Sequence, residues 1–248
     1  MGGVVQRSRY EERTYRNLTG IDDLASFNVV VQETDLHIHA SEPFQDLTKE
    51  LVLKHRGHIE KYIAAYPEFL KTLVPWHTDN FAPRIVGEMI EAGRKAGVGP
   101  MAAVAGAVAE FVGRDILSRS GEVVVENGGD IFIKTDRELT VGIYAADSPL
   151  SLKMGLRVDS RKVPVAVCTS SGTVGHSLSF GKADAVCVVS GSCPLADAAA
   201  TAVGNLVKGK KNIQDAMDFG KTIEGVTGIV IIIGTDAGFW GDVEVVSL

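Results

Sequence analysis

The chain has little cysteine, and no two cysteines share a C-x-x-C spacing: the three are Cys168, Cys187 and Cys193. An odd count without that spacing argues against a disulfide framework and against a zinc knuckle. Cys168 and Cys187 fall in apolar, strand-like runs and read as buried, unreactive thiols. Cys193, beside Pro194 in an expected turn, is the one to test for reactivity. A basic excess is also lacking. The net charge of -6 leaves no electrostatic footprint for nucleic acid and argues against anchoring to an anionic membrane surface. No apolar run approaches the ~20 residues of a membrane span, and the run from Ile229 to Ile233 suits a buried strand. The opening MGGVVQRSRYEERTYR lacks the apolar centre of a secretory signal, so a cytoplasmic protein is expected. Three catalytic signatures are missing as well. There is no G-x-x-x-x-G-K-[ST] loop, no G-x-G-x-x-G after a strand, and no G-x-S-x-G. Ser170 or Ser171 near His176 suggests a hydrolase nucleophile, but no acid partner identifies itself.

What is present centres on Gly97 to Ile133. Pro100 suits the first turn of a helix, where its missing N–H costs little. Met101 to Ala109 is mostly Ala, Val and Gly, a thin helix that another backbone or a ligand can approach. The N–H groups of its first turn, after Gly97 and Gly99, are donors for an anion. The strand-like Val123-Val124-Val125 then runs into Asn127-Gly128-Gly129-Asp130, where two glycines allow backbone conformations closed to other residues. Read alone, these features also describe a buried packing helix and a hairpin turn.

The rest of the chain reads as follows. Tyr10 to Asn17 is an expected strand. Phe27 to Gln32 and Leu36 to Ala40 are a hairpin about Glu33-Thr34-Asp35. His37 and His39 share one face of the second strand, as a metal pair or an exposed polar face. Leu47, Leu51, Ile59 and Ile63 mark an amphipathic helix within Pro43 to Ala65, with Lys54, His55, Arg56 and His58 on or near its solvated side. Tyr66-Pro67 ends it, and Phe69 to Val74 continues as a short helix. Pro75 to Pro83 is a loop in which His77, Asp79 and Asn80 are polar candidates, and Ala82 to Lys95 is a helix. A hairpin is expected with Lys134 to Glu138 as its turn and Leu139 to Ala145 as its second strand. Strands are expected at Leu152 to Val158, from Val163 into Thr169-Ser170-Ser171-Gly172, and at Asp184 to Ser190. Pro194 to Asn205 is a second small-residue helix, and Ile213 to Phe219 a short one. Val226 to Ile233 and Val243 to Val246 close the chain around the turn Gly234 to Gly238. The small-residue helices near 101–112 and 195–206 echo each other. Helices set between antiparallel-type hairpins argue for an α+β fold with mixed or antiparallel sheets. The length allows one domain, residues 1–248, or two packed, similar halves of about 1–145 and 146–248.

On the second small-residue helix, Asp197 and Thr201 are spaced i, i+4 and face the same way. A carboxylate and a hydroxyl there offer oxygen to a hard cation such as Mg²⁺, which commonly also binds phosphates. The plainer reading is a first-turn acid and a hydroxyl bonded back to its own helix.

The segments GVGPMAAVAGAVAEFVG, VENGGDIFI, TSSGTVGHS and ADAAATAVGN together resemble an uncharacterised family of bacterial and archaeal proteins in the ApbE-like superfamily. ETDLHI, Tyr62-Ile63 with Pro67-Glu68-Phe69, and Ala82-Pro83 are similar to the same family. That superfamily includes the FAD:protein FMN transferases, which bind FAD with Mg²⁺ and have a T-fold-related α+β fold. The resemblance implies that Asp197 and Thr201 help to hold the metal. It places Asn127, Gly128, Gly129 and Asp130 near the flavin nucleotide, with Thr169, Ser170, Ser171 and Gly172 as a second binding turn. Gly99, Pro100 and Met101 begin the segment whose backbone reaches the metal. Asp130 and His176 are the candidates for acid–base work. The chain departs from the transferases in having no lysine between Lys95 and Lys134, where their signature lysine belongs. Two readings follow: a metal-assisted transferase or hydrolase acting on a flavin or another phosphorylated cofactor, and a non-catalytic binding or structural protein on the same scaffold. Neither calls for nucleic acid or membrane as a partner. Open sheet edges leave room for a homo-oligomer.

Overall fold

The computed structural model describes residue 21, residues 23–172 and residues 180–248. The expected strand Tyr10 to Asn17 and His176 lie outside the described residues. The chain begins with a hairpin of β1 (Ala25–Val31) and β2 (Thr34–Ala40), pairing Val31 with Thr34 across a turn at Gln32 and Glu33. Three α-helices follow: α1 (Gln45–Ala65), α2 (Arg84–Ala96) and α3 (Val104–Leu117). A second hairpin, β3 (Val123–Asn127) and β4 (Asp130–Lys134), comes next. After two strands that belong elsewhere, the pattern returns. β7 (Val165–Ser170) and β8 (Ala185–Ser190) pair, α4 (Cys193–Leu206) and α5 (Ile213–Lys221) follow, and β9 (Val226–Ile233) pairs with β10 (Asp236–Gly241). These eight strands make one sheet in the order β1-β2-β3-β4-β7-β8-β9-β10, antiparallel at every junction. Hairpin, helices, hairpin is therefore the order on both sides of the β4–β7 junction.

A three-stranded sheet, β11 (Glu244–Ser247), β6 (Met154–Asp159) and β5 (Glu138–Gly142), covers the face of the large sheet opposite the helices. The period of two along a strand explains why the central strands are apolar throughout. In β9, Ile229 and Ile231 join the core under the helices, while Val230 and Ile232 join the core between the sheets. Both faces of the large sheet are thus dry at its centre. Helices α3 and α4 lie on it with nearly their whole circumference buried, which is why both are built from Ala, Val and Gly.

The α+β, antiparallel reading holds, and several local expectations change. The hairpin expected across Lys134 to Glu138 does not form. β4 pairs instead with β7, and β5 turns away to start the small sheet. The apolar inner face of β4 is satisfied by the equally apolar β7, whereas β5 has an exposed face suited to an outer layer. His55 is not on a solvated side. It is 4 % exposed, packs edge-on against Phe111 and meets Asp115 Oδ2 at 3.0 Å, tying α1 to α3. Phe69 to Val74 is not a helix; a single 3₁₀ turn, Pro67–Leu70, stands there. The turn after β9 is only Gly234-Thr235, because Asp236 already pairs in β10. His37 and His39 do share a face, with ring centroids 4.8 Å apart, but that face is buried.

Candidate functional site

The site is built where α3 and α4 cross. Gly106, in the first turn of α3, has no side chain because there is no room for one. A Cβ there would run into the Cys193 carbonyl oxygen and lie 2.9 Å from the Asp197 Cβ. That approach lets the two helices exchange carboxylates. Asp197, on α4, accepts the Gly106 N–H at 2.9 Å and is also bonded by the Ala105 N–H. Glu110, on α3, accepts the Cys193 N–H at 2.6 Å. Each acid lies four residues beyond the position its own helix presents to the other: Gly106 and Glu110 on α3, Cys193 and Asp197 on α4. Each helix N-terminus, where N–H groups lack intrahelical partners and carry the positive end of the dipole, is thus capped by the other helix. The anion at the N-terminus of α3 is the protein's own Asp197.

The β3–β4 turn closes the site from the side. Gly128 and Gly129 have φ of 69° and 103°, the two left-handed central positions of a tight two-residue hairpin. Gly129 donates its N–H to Glu126 Oε1 at 2.7 Å and accepts the Thr169 N–H at 3.2 Å, which stitches the turn to β7. Asn127 is buried and donates from Nδ2 to the Ala105 carbonyl at 2.9 Å, so the turn also grips the start of α3. Asp130 opens β4, pairs in register with Cys168 and is 6 % exposed. Burial first, and then the negative charge of Asp197, hold its carboxyl well above the usual carboxylate range, although the Cys168 thiol and the Thr169 N–H favour its charged form. Burial likewise pushes Asp197 up to about 7 against the pull of the two α3 amides. Two acids that repel each other in a dry place form an arrangement that a cation relieves.

The structure brings Asn127, Gly128, Gly129, Asp130 and Asp197 to this crossing; Thr169 contributes its backbone N–H, while its hydroxyl meets Cys187 on the other face of the sheet. Thr201 lies one turn beyond Asp197. With Asn205 a further turn on, these are the partly accessible positions along an otherwise buried stretch of α4. Ser170 lies farther along, its Oγ 3.8 Å from where a Gly204 Cβ would stand. Ser171 and Gly172 are at the rim, and Gly172 donates to the Ala183 carbonyl at 2.9 Å. Pro100 and Met101 form a 3₁₀ turn leading into α3. Gly99 is occupied otherwise, since a Cβ there would run into the Thr72 carbonyl, so its smallness serves loop packing. Among the described residues, no three His, Cys, Asp or Glu side chains cluster as a metal set. A cation here would rest on acid and hydroxyl oxygens with further ligands from outside the chain.

Two participants, Glu110 and Glu126, escaped the sequence reading, and a third, Cys193, was placed differently. Glu110 is the single charge in MAAVAGAVAEFVG, a signal that was available. Glu126 is visible only once the turn is folded. Cys193 is not in an exposed turn but buried on the first turn of α4, with its Sγ 3.5 Å from Cys168 Sγ. No single helix among the described residues is long and apolar enough to cross a membrane.

Known proteins share the family and the fold of this chain. A family model described as "AbpE bacteria" matches residues 17–237. A UPF0280 protein of Methanosarcina acetivorans is 41% identical over 220 residues, covering 88% of this chain and 87% of that one. One from Methanococcus aeolicus is 38% identical over 221 residues, covering 87% and 89%. Among solved structures, the flavin transferase ApbE of Vibrio cholerae superposes with a TM-score of 0.54 at 12% identity, over 89% of this chain and 97% of that one. The ApbE protein of Thermotoga maritima superposes with a TM-score of 0.55 at 14% identity, over 87% and 96%. The fold is that of the ApbE proteins, and the chain belongs to the AbpE bacteria family together with the UPF0280 proteins.

Proposed function

We propose that the α3–α4 crossing binds a flavin or another phosphorylated nucleotide cofactor together with Mg²⁺, and that the chain acts on it as a transferase or hydrolase. The carrying observation is the pair of carboxyls at the crossing, Asp130 buried and Asp197 partly accessible, both held above their ordinary range beside two helix N-termini. Asp197 and Thr201 would hold the cation, and their hard oxygens suit Mg²⁺. Bound there, it would supply charge neutralisation at a diphosphate. The chain's own residues do the rest. The Gly128-Gly129 turn lets a ligand approach the backbone, and Ser170 and Ser171 bring hydroxyls toward the rim. Asp130, kept protonated more readily than an exposed acid, can hold or release a proton at its carboxyl, with His176 as the second candidate. The Gly106 amide fixes the orientation of the Asp197 carboxylate.

One observation favours a second reading, a binding protein without turnover: no lysine occurs between Lys95 and Lys134. Incubation with FAD and Mg²⁺, followed by chromatographic detection of AMP and FMN, separates the two. Release of AMP, with FMN either free or attached to an acceptor, lost in Asp130→Asn, supports chemistry. Tight binding with no products supports the second reading, and absence of binding by folded protein overturns both.

A further inference from the structure

We propose that Cys168 and Cys193 are a redox pair that closes to a disulfide beneath the N-terminus of α4. The two sulfurs are 3.5 Å apart, and the thiols belong to different layers, Cys168 to the large sheet and Cys193 to the helix resting on it. Contraction to the ~2.05 Å of a disulfide asks for a shift of about 1.5 Å, shared between strand and helix. Cys187 is equally buried, but its thiol meets the Thr169 hydroxyl, at 3.1 Å. The fold thus supplies its own control.

With a peroxide as oxidant, the step balances as follows. The Cys193 thiol, which burial pushes up to about 11, gives up its proton as its sulfur attacks a peroxide oxygen. The O–O bond breaks, and the leaving hydroxide takes up the thiol's proton and departs as water, leaving a sulfenic acid. The Cys168 sulfur then attacks that sulfur, the S–O bond breaks, and the hydroxide leaves as a second water with the Cys168 proton. Two thiols and one peroxide give one disulfide and two waters, a two-electron oxidation of the protein.

The consequence reaches the candidate site by contact. Cys168 is the thiol that bonds the Asp130 carboxyl, and Cys193 lies one helical turn before Asp197. Closure removes the first bond and draws the start of α4 toward β7. Disulfide formation itself is independent of which ligand the site takes.

The test uses the full chain. Folded protein is treated with hydrogen peroxide, denatured in N-ethylmaleimide and weighed intact. The expected result is loss of two of three alkylatable thiols, with a Cys168–Cys193 cross-linked peptide after digestion, alkylated Cys187, and recovery of all three thiols after dithiothreitol. Cys187→Ser retains the cross-link; Cys168→Ser and Cys193→Ser each abolish it, with circular dichroism confirming that each variant is folded. Three alkylated thiols after peroxide treatment, a bridge that includes Cys187, or irreversible addition of oxygen without a bridge would each overturn the proposal.

Discussion

Replacing Asp197 by Asn separates the two roles this residue could have. In the folded protein its carboxyl is pushed up to about 7, against 3.8 for the ordinary acid. The folded state therefore binds more protons than the unfolded chain between those two pH values, and the acid lowers stability as pH rises through that window. A shift of that size corresponds to about 4 kcal/mol by the top of the window. Coupling to Asp130 and partial access to water reduce this, and about 2 kcal/mol is a working figure. Asparagine is neutral like the protonated acid, and its carbonyl oxygen still accepts the Gly106 N–H. Asp197→Asn should then match the wild type near pH 4, the foot of that window, and exceed it in stability by about 2 kcal/mol at pH 8 in EDTA. The assay is urea unfolding at both pH values. Added Mg²⁺ should raise the stability of the wild type and leave the variant unchanged. If Asp197→Asn loses 2 kcal/mol or more at both pH values, the carboxylate is a structural cap for α3, and the reasoning from repulsion fails.

Other perturbations probe the frame around the site. Gly106→Ala forces α3 and α4 apart at the Cys193 carbonyl and should cost about 2–3 kcal/mol in urea unfolding, with ligand binding lost. Gly129→Ala places a side chain at φ 103° and should cost about 1–3 kcal/mol. His39 is 4 % exposed, neither ring nitrogen has a hydrogen-bond partner, and burial holds it below the usual histidine range. Its contribution to stability is therefore intact above about pH 6.5 and lost as pH falls below it. His39→Leu should flatten that acid limb in thermal melts between pH 7 and 5.

Much of the helical order was legible because its signals are local. Pro67 ends α1, Pro83 precedes α2, and Pro100 starts the turn into α3. The NGGD turn was legible for the same reason, since two glycines in succession point to the left-handed hairpin geometry that Gly128 and Gly129 adopt. Strand pairing was less so. A polar pentapeptide, Lys134 to Glu138, reads as a hairpin turn, yet the partner of β4 is chosen by burial of Ile131, Phe132 and Ile133 against β7, more than thirty residues away. His55 was misplaced because a histidine between Lys54 and Arg56 looks solvated until Phe111 and Asp115 are laid beside it. Asp197 was legible from its i, i+4 spacing with Thr201 and Asp130 from the NGGD turn, and motif resemblance gave each a role. The exchange of carboxylates with Glu110 was not legible, because it depends on the distance between two helices whose contacts join residues 83 and 91 apart in sequence.

Calorimetric titration of FAD and FMN into the protein, with Mg²⁺ and with EDTA, for wild type and Asp197→Asn, tests the central claim most directly. The account predicts binding to the wild type that requires Mg²⁺ and falls at least tenfold in the variant, while the variant remains folded. Binding of equal strength in EDTA, or an unchanged affinity in Asp197→Asn, would contradict it.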